Sequence, residues 1–189
     1  MAWKLGDPTA KRLGRLTLNP IPHIDPILTL LVPAILVMTT GFLFGGAKPV
    51  PVDPRNFKTP HRSNALVAMA GPLSNIFLAS VGVLTLKLLN ETDAFQGRLL
   101  PLIVSYFVFF NVLLAVFNAL PIPPLDGSRV VSWLLPATVR RGYDALESIG
   151  IFLIFGLLIF VLPFRAFLGQ TIHQVSEFLG DVVSLWGLW

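Results

Sequence analysis

Two stretches of this chain, residues 65–86 and 99–120, each run 22 residues without a charged side chain. As a helix, such a run is about 33 Å long at 1.5 Å per residue. About 20 apolar residues suffice to cross the hydrocarbon core of a bilayer. Inside that core only helices and closed barrels satisfy every backbone polar group. The two runs therefore predict an all-α, multi-pass membrane protein built as a helical bundle. Composition points the same way: 13% of the 189 residues are charged, against about 25% in soluble domains. That is too little charge to build a water-facing surface.

Two weaker runs accompany them. Residues 27–44 carry no charge over 18 positions but are interrupted by Pro33 and Gly41, and residues 149–164 are short for a span at 16. The breaks between runs hold the basic residues. Lys48, Arg55, Lys58 and Arg62 fall in 45–64, whereas 87–98 has two basic residues beside Glu91 and Asp93. The positive-inside bias then puts loops 45–64 and 121–148 in the cytoplasm and 87–98 outside, in a cell-membrane protein. The same bias accounts for the net charge of +4 without nucleic acid as a partner. Residues 27–44 have basic flanks on both sides, since Lys4, Lys11, Arg12 and Arg15 precede them. A re-entrant path broken near Pro33 or Gly41 resolves that conflict, and one ordinary span is the alternative. Residues 1–7 turn polar too quickly to hold the apolar core of a secretory signal, so the internal runs are expected to direct membrane insertion.

Outside the runs, Arg15-Leu-Thr-Leu-Asn alternates polar and apolar before Pro20, Pro22 and Pro26. That pattern predicts a small β element near residues 12–20, followed by turns. The tail 166–189 spaces Gln170, His173, Glu177 and Asp181 three to four apart among apolar residues. It reads as an amphipathic interfacial helix, with Trp186 and Trp189 at headgroup depth. At this length one membrane-embedded domain over 1–189 is expected. With no cysteine in the chain, disulfides, thiolate metal sites and cysteine nucleophiles are excluded.

The residues best placed for chemistry lie in Asn118-Ala-Leu-Pro-Ile-Pro-Pro-Leu-Asp-Gly. Prolines 121, 123 and 124 stop the helix and set an extended path. A carboxylate follows at once, and Gly127 lets the backbone turn beside it. An ionisable group near membrane depth costs roughly 2.5–3.5 kcal/mol on insertion scales, so it needs a partner or a purpose. Asp126 reads either as the cap of the next helix or as a rigidly held metal ligand. Asn111 and Asn118 lie seven apart on one face of the third run. Interhelical hydrogen bonding explains both, and Asn118 alternatively pairs with the backbone of an unwound substrate. Gly71, Ser74 and Asn75 fit close helix packing. His23 and Asp25 fit a hydrogen-bonded turn or a group near the site, His61 an exposed loop, and His173 the amphipathic tail.

Asn118-x-x-Pro-x-Pro-x-Leu-Asp-Gly resembles the C-terminal motif NxxPxPxLDG of the site-2 protease family. Gly6-Asp-Pro-Thr, Gly14-Arg-Leu-Thr-Leu-Asn-Pro, His23-Ile-Asp-Pro, Ala47-Lys-Pro-Val-Pro-Val and Ala70-Gly-Pro-Leu-Ser-Asn are similar, in order, to further blocks of its short bacterial branch. Together they cover roughly residues 5–130. The resemblance implies a zinc metalloprotease that hydrolyses peptide bonds of transmembrane protein substrates within the bilayer. It implies that Asp126 is a zinc ligand, while Asn118 stands as the candidate substrate-binding residue on the reading of the residues given above.

One block is missing. The family's other two ligands are the histidines of HExxH, one turn apart on a helix, and the intervening glutamate is the general base. No HExxH occurs in the 189 residues, so the catalytic base has no counterpart, and this chain alone is not expected to hold zinc. The family places that motif a few residues before Gly-Asp-Pro-Thr, which here begins at Gly6. The expectation is a truncated reading frame, in which an internal GTG valine codon was taken as the start Met1. Reading the DNA upstream in the same frame decides it. The rival is a non-catalytic pseudoprotease that binds transmembrane helices without cutting them. A transporter is third, because its two related halves have no counterpart here.

Overall fold

A computed structural model describes residues 1–17, 19–40, 46–91 and 99–185. Gly41, Phe44, residues 92–98, Trp186 and Trp189 lie outside the described residues. The chain divides into two compact units, Met1–Ser63 and Asn64–Trp189. All regular structure among the described residues is helical.

The first unit is made of short pieces held by two polar hubs. A 3-10 turn, Ala2–Leu5, ends at Gly6 with φ 111°, a left-handed conformation that favours glycine. A Cβ there would stand 3.2 Å from the Asn56 carbonyl. Helix α1, Thr9–Arg12, follows, and Gly14 turns the chain at φ 65°. The first hub is Asp7, which is fully buried. Its carboxylate accepts hydrogen bonds from the Thr9 N–H (3.1 Å) and hydroxyl (2.5 Å), the Asp53 N–H (2.9 Å) and the Asn56 amide (2.7 Å). Burial pushes the carboxyl pKa up, but the four hydrogen bonds outweigh it and hold the group at about 2. The staple joins residues 7–9 to the turn Pro54–Asn56.

The depressed pKa of Asp7 makes a prediction. A lowered folded-state value contributes stability that is fully present above the ordinary carboxylate pKa and is lost as pH falls towards about 2. The contribution is on the order of 2 kcal/mol. Protease resistance of residues 1–63 should therefore hold down to about pH 4 and decline below it. In Asp7→Asn the resistance should be lower at neutral pH and lack that acid slope.

The second hub is Arg15, which is buried. Its guanidinium donates to the carbonyls of Pro22, Lys48 (2.7 Å) and Pro49 (3.3 Å). This accounts for a departure from the pattern-based reading, because the expected β element near residues 12–20 does not form among the described residues. Residues 9–12 are helical, and residues 15–17 are not part of a ladder. Extended backbone becomes a strand only beside another strand. Here the carbonyls of the neighbouring segments are taken by the Arg15 side chain instead. Beyond it come a 3-10 turn, Ile21–His23, a π-helical turn, Pro26–Leu31, and helix α2, Val32–Thr40.

Among the described residues, the regular structure of the second unit is all helical. Helix α3 is Pro60–Glu91, α4 Leu99–Ala119, α5 Asp126–Leu134, α6 Ala137–Ala145, α7 Gly150–Phe160 and α8 Leu162–Leu185. Two of these are long and apolar enough to cross a membrane, over Pro60–Leu89 and Leu99–Ala119. Pro72 sits inside α3. The hydroxyl of Ser74 donates to the Ala70 carbonyl at 2.6 Å, within the turn that the proline interrupts. The first core cluster packs Ala79 of α3, Val108, Val112 and Val116 of α4, and Leu179 of α8. Gly82 lets α3 approach α4, since a Cβ there would stand 2.6 Å from Val108. The apolar residues Ile172 and Val175 of α8 pack on this cluster.

The run at 149–164 is not a straight span. Helix α7 has 11 residues, about 16 Å, and bends by 73° from the segment Ala137–Ser148. Pro163 is the reason α7 stops. Continued as helix, its ring would clash with the carbonyl four residues back.

Candidate functional site

The Asn118–Gly127 segment is the turn between α4 and α5. Helix α4 ends at Ala119, where Pro121 has no N–H to continue it. Leu120 and Leu125 anchor the two ends of the turn in a second core cluster with Ile154 of α7 and Leu168 of α8. The Leu125 N–H closes back on the Ile122 carbonyl at 2.9 Å. From outside, the Tyr143 hydroxyl of α6 donates to the Pro121 carbonyl at 2.8 Å.

Two glycines let the turn pack against backbone. A Cβ on Gly127 would lie 2.2 Å from the Ala119 carbonyl oxygen, so the Asp-Gly step sits directly on the end of α4. A Cβ on Gly150, the first residue of α7, would lie 1.9 Å from the Pro123 carbonyl oxygen and 2.9 Å from the Pro124 ring. Gly127 was visible within the motif. Gly150, 23 positions further on, was not, and neither was Tyr143. The only local sign of Gly150 is a glycine opening an apolar run.

Asp126 opens helix α5, and Leu125 occupies the cap position without a side-chain cap. The half-buried carboxylate accepts no hydrogen bond among the described residues. Arg129, one turn on, is committed elsewhere. It forms a two-pronged ion pair with Glu147, one contact at 3.0 Å. Burial therefore raises the Asp126 carboxyl pKa, and the more distant charge of Arg129 only partly offsets it. The carboxylate faces Gly71 of α3, where a Cβ would come within 2.8 Å of Oδ2. Gly71, read from sequence as a packing residue, thus also leaves the space that the carboxylate occupies.

Asn118 is the penultimate residue of α4 and is half-exposed. Its amide donates to the Leu114 carbonyl at 3.0 Å, leaving the side-chain oxygen without a hydrogen bond among the described residues. Asn111 is buried, and its amide donates to the Phe107 carbonyl at 2.8 Å. Beside the turn, a groove of about 440 Å³ runs between α3, α4 and α8. Pro72, Ile76, Ala119, Pro121 and Thr171 line part of it, and its walls are almost wholly apolar.

The histidines are dispersed. His23 closes a 3-10 turn, with Nε2 3.3 Å from the Thr17 carbonyl. His61 is exposed at the start of α3. His173 pairs with Glu177 one turn along α8 at 3.4 Å, both exposed. Among the described residues no three His, Cys, Asp or Glu side chains are grouped to hold a metal ion. A catalytic zinc takes three protein ligands and an open position. The chain by itself does not fit one, though Asp126 fits as a single oxygen ligand.

Comparison with known proteins bears directly on this turn. The sequence model described as Peptidase family M50 matches residues 93–162, which contain both Asn118 and Asp126. Several relatives carry the name "Putative zinc metalloprotease". YwhC of Bacillus subtilis (strain 168) is 43% identical over 171 residues, covering 88% of this chain and 74% of the relative. Rip2 of Mycolicibacterium smegmatis is 28% identical over 201 residues, covering 100% of this chain and 74% of the relative. MJ0611 of Methanocaldococcus jannaschii is 37% identical over 98 residues, 52% of this chain and 47% of that protein. No solved structure matches the chain.

Proposed function

The chain belongs to peptidase family M50, the site-2 proteases, and on that premise we propose that it contributes one zinc ligand and the substrate-binding turn of an intramembrane metalloprotease. Site-2 proteases in general cleave membrane-embedded substrates within the bilayer. The observation that carries the proposal is the state of Asp126. A half-buried carboxylate with neither an ion-pair partner nor a hydrogen bond among the described residues, held beside a glycine, is costly unless something binds it. The two histidines and the glutamate of HExxH are absent from the 189 residues. Hydrolysis therefore needs a helix bearing that motif joined to this chain.

Asn118 contributes through binding. A helical substrate hides its amides, so cleavage needs an unwound stretch whose backbone is held. The unbonded side-chain oxygen and second N–H of Asn118 offer one acceptor and one donor to such a strand. The apolar groove alongside suits flanking side chains. The positive-inside bias supports a cytoplasmic side for residues 45–64 and 121–148, and with it a turn near the cytoplasmic face of the cell membrane.

A non-catalytic protein that binds transmembrane helices is the second reading. It is favoured by the lack of a three-ligand cluster among the described residues. Asn118→Ala separates substrate binding from metal binding. Joined to an HExxH helix, the Asn118→Ala chain should retain zinc and cleave a transmembrane reporter at least about tenfold more slowly, as expected for a hydrogen bond worth roughly 1.4 kcal/mol or more. Unchanged cleavage would remove Asn118 from the site. Helix binding without any cleavage by the parent would favour the non-catalytic reading.

A further inference from the structure

Helix α8 carries two rows of side chains on opposite faces. Leu168, Ile172, Val175 and Leu179, three or four residues apart, face the core clusters. Gln170, His173, Glu177 and Asp181, again three or four apart, stand on the other face and are all exposed, with Gln174 beside them. His173 Nε2 lies 3.4 Å from a Glu177 carboxylate oxygen, and 71% and 63% of the two side chains are exposed. The side chains of Gln170, Gln174 and Asp181 make no hydrogen bond among the described residues.

Packing against α4 gives this polar row its depth. Leu168 joins Leu120 and Leu125 at the end of α4, Leu179 joins Val108, Val112 and Val116 further back along it, and Ile172 packs against both groups. From Leu168 to Leu179 α8 rises about 16 Å, and from Leu120 back to Val112 the chain covers about 12 Å. The two helices therefore run side by side in opposite directions. A helix lying flat on the membrane surface would meet α4 at one level only. Because α4 is long and apolar enough to cross a membrane, α8 lies within the same thickness. Its 24 residues, about 36 Å, suffice to cross it. His173 and Glu177 fall between the two levels of contact, at hydrocarbon depth.

Lipid does not suit such a face. Ionisable side chains at this depth turn to protein or to water. The outward faces of α3 and α4 are apolar by contrast, with Phe77, Val81, Ile103 and Phe110 all exposed. The α8 row complements itself. Gln170, His173 and Gln174 bring N–H donors towards one end, and Glu177 and Asp181 bring carboxylate acceptors towards the other. Two copies with the same orientation in a bilayer are related by a two-fold axis along its normal. That axis sets their α8 helices parallel and makes every contact occur twice. His173 then meets the partner's Glu177 one turn along, and the reverse pair forms with it. The glutamine amides bond across the same seam.

We propose that the polar face of α8 is the contact between two copies of this chain inside the bilayer, with His173 and Glu177 paired reciprocally across it. The proposal stands apart from the protease reading, and its test reads association rather than cleavage. Because the chain lacks cysteine, single cysteines can be placed at Gln170, at Asp181 and, as a control, at the exposed Ile103 of α4. In the full chain, reconstituted in phospholipid vesicles, oxidation should give covalent dimers of Q170C and D181C and not of I103C. Adding Glu177→Ala to Q170C should slow crosslinking about fivefold or more, as loss of hydrogen bonds between membrane helices does. Phe160→Ala, exposed on α7, should leave it unchanged. Equal crosslinking at all three cysteines reports random collision and overturns the proposal. Monomers whose Q170C and D181C react with an impermeant maleimide give the face to water, and monomers that do not react give it to lipid; either result overturns it. So does a dimer that disappears when an HExxH helix is joined to the chain, since that helix then covers the face.

Discussion

Replacing Asp126 with alanine, in a chain joined to an HExxH helix, is expected to abolish peptide cleavage, with a fall of at least about a thousandfold. Metal-assisted hydrolysis draws several kcal/mol from the ion, and each 1.36 kcal/mol is a factor of ten. Removing one of three protein ligands forfeits most of that. The loss should come without unfolding. Asp126 makes no hydrogen bond among the described residues, and Leu125, rather than Asp126, caps helix α5. Relieving the burial of a carboxylate whose pKa is already pushed up should leave the melting temperature unchanged or raised. A variant that loses cleavage together with its fold would instead assign Asp126 a structural role.

Gly150→Ala is expected to destabilise the second unit by about 2–3 kcal/mol or more, as overpacking against rigid atoms does. The atoms that a Cβ would meet are the Pro123 carbonyl at 1.9 Å and the Pro124 ring at 2.9 Å. Neither is the end of a flexible side chain, so backbone must move. What moves is the turn that holds Asp126, and cleavage should fall along with stability. Gly156→Ala in α7 and Gly169→Ala in α8 are the controls. Nothing lies within 4 Å of a Cβ at either position, and alanine in a helix interior is better than glycine by up to about 1 kcal/mol. Thermal melts in detergent should place these two at or above the parent and Gly150→Ala well below it. Equal melts for all three would show that the turn does not rest on α7.

The contrast between those glycines shows what the amino-acid order could reveal. Helix α4 and the turn after it were legible because their causes are local. Twenty-two uncharged residues demand a helix in lipid, and Pro121 forbids its continuation. The Asp-Gly step was legible for the same reason. Gly150 and Tyr143 bear on that turn from 20 or more residues away, and no spacing rule predicts such a contact. The alternation at residues 15–19 suggested a strand, but alternation does not say what will pair with the backbone. The Arg15 guanidinium took up the neighbouring carbonyls. The run at 149–164 is a helix that stops before Pro163, and with the bent segment Ala137–Ser148 ahead of it the pair is long and apolar enough for a broken span or a re-entrant loop.

The central claim is that these 189 residues provide one zinc ligand, Asp126, to a site completed by an HExxH helix. Zinc bound per chain, measured by elemental analysis after purification, tests it most directly. Three proteins are compared: the 189-residue chain, the same chain joined to an HExxH helix, and the joined chain with Asp126→Ala. The account predicts little zinc in the first, about one ion in the second, as expected for a catalytic site with three protein ligands, and a strongly reduced level in the third. One tightly held zinc in the 189-residue chain alone, or undiminished zinc after Asp126→Ala, would contradict it.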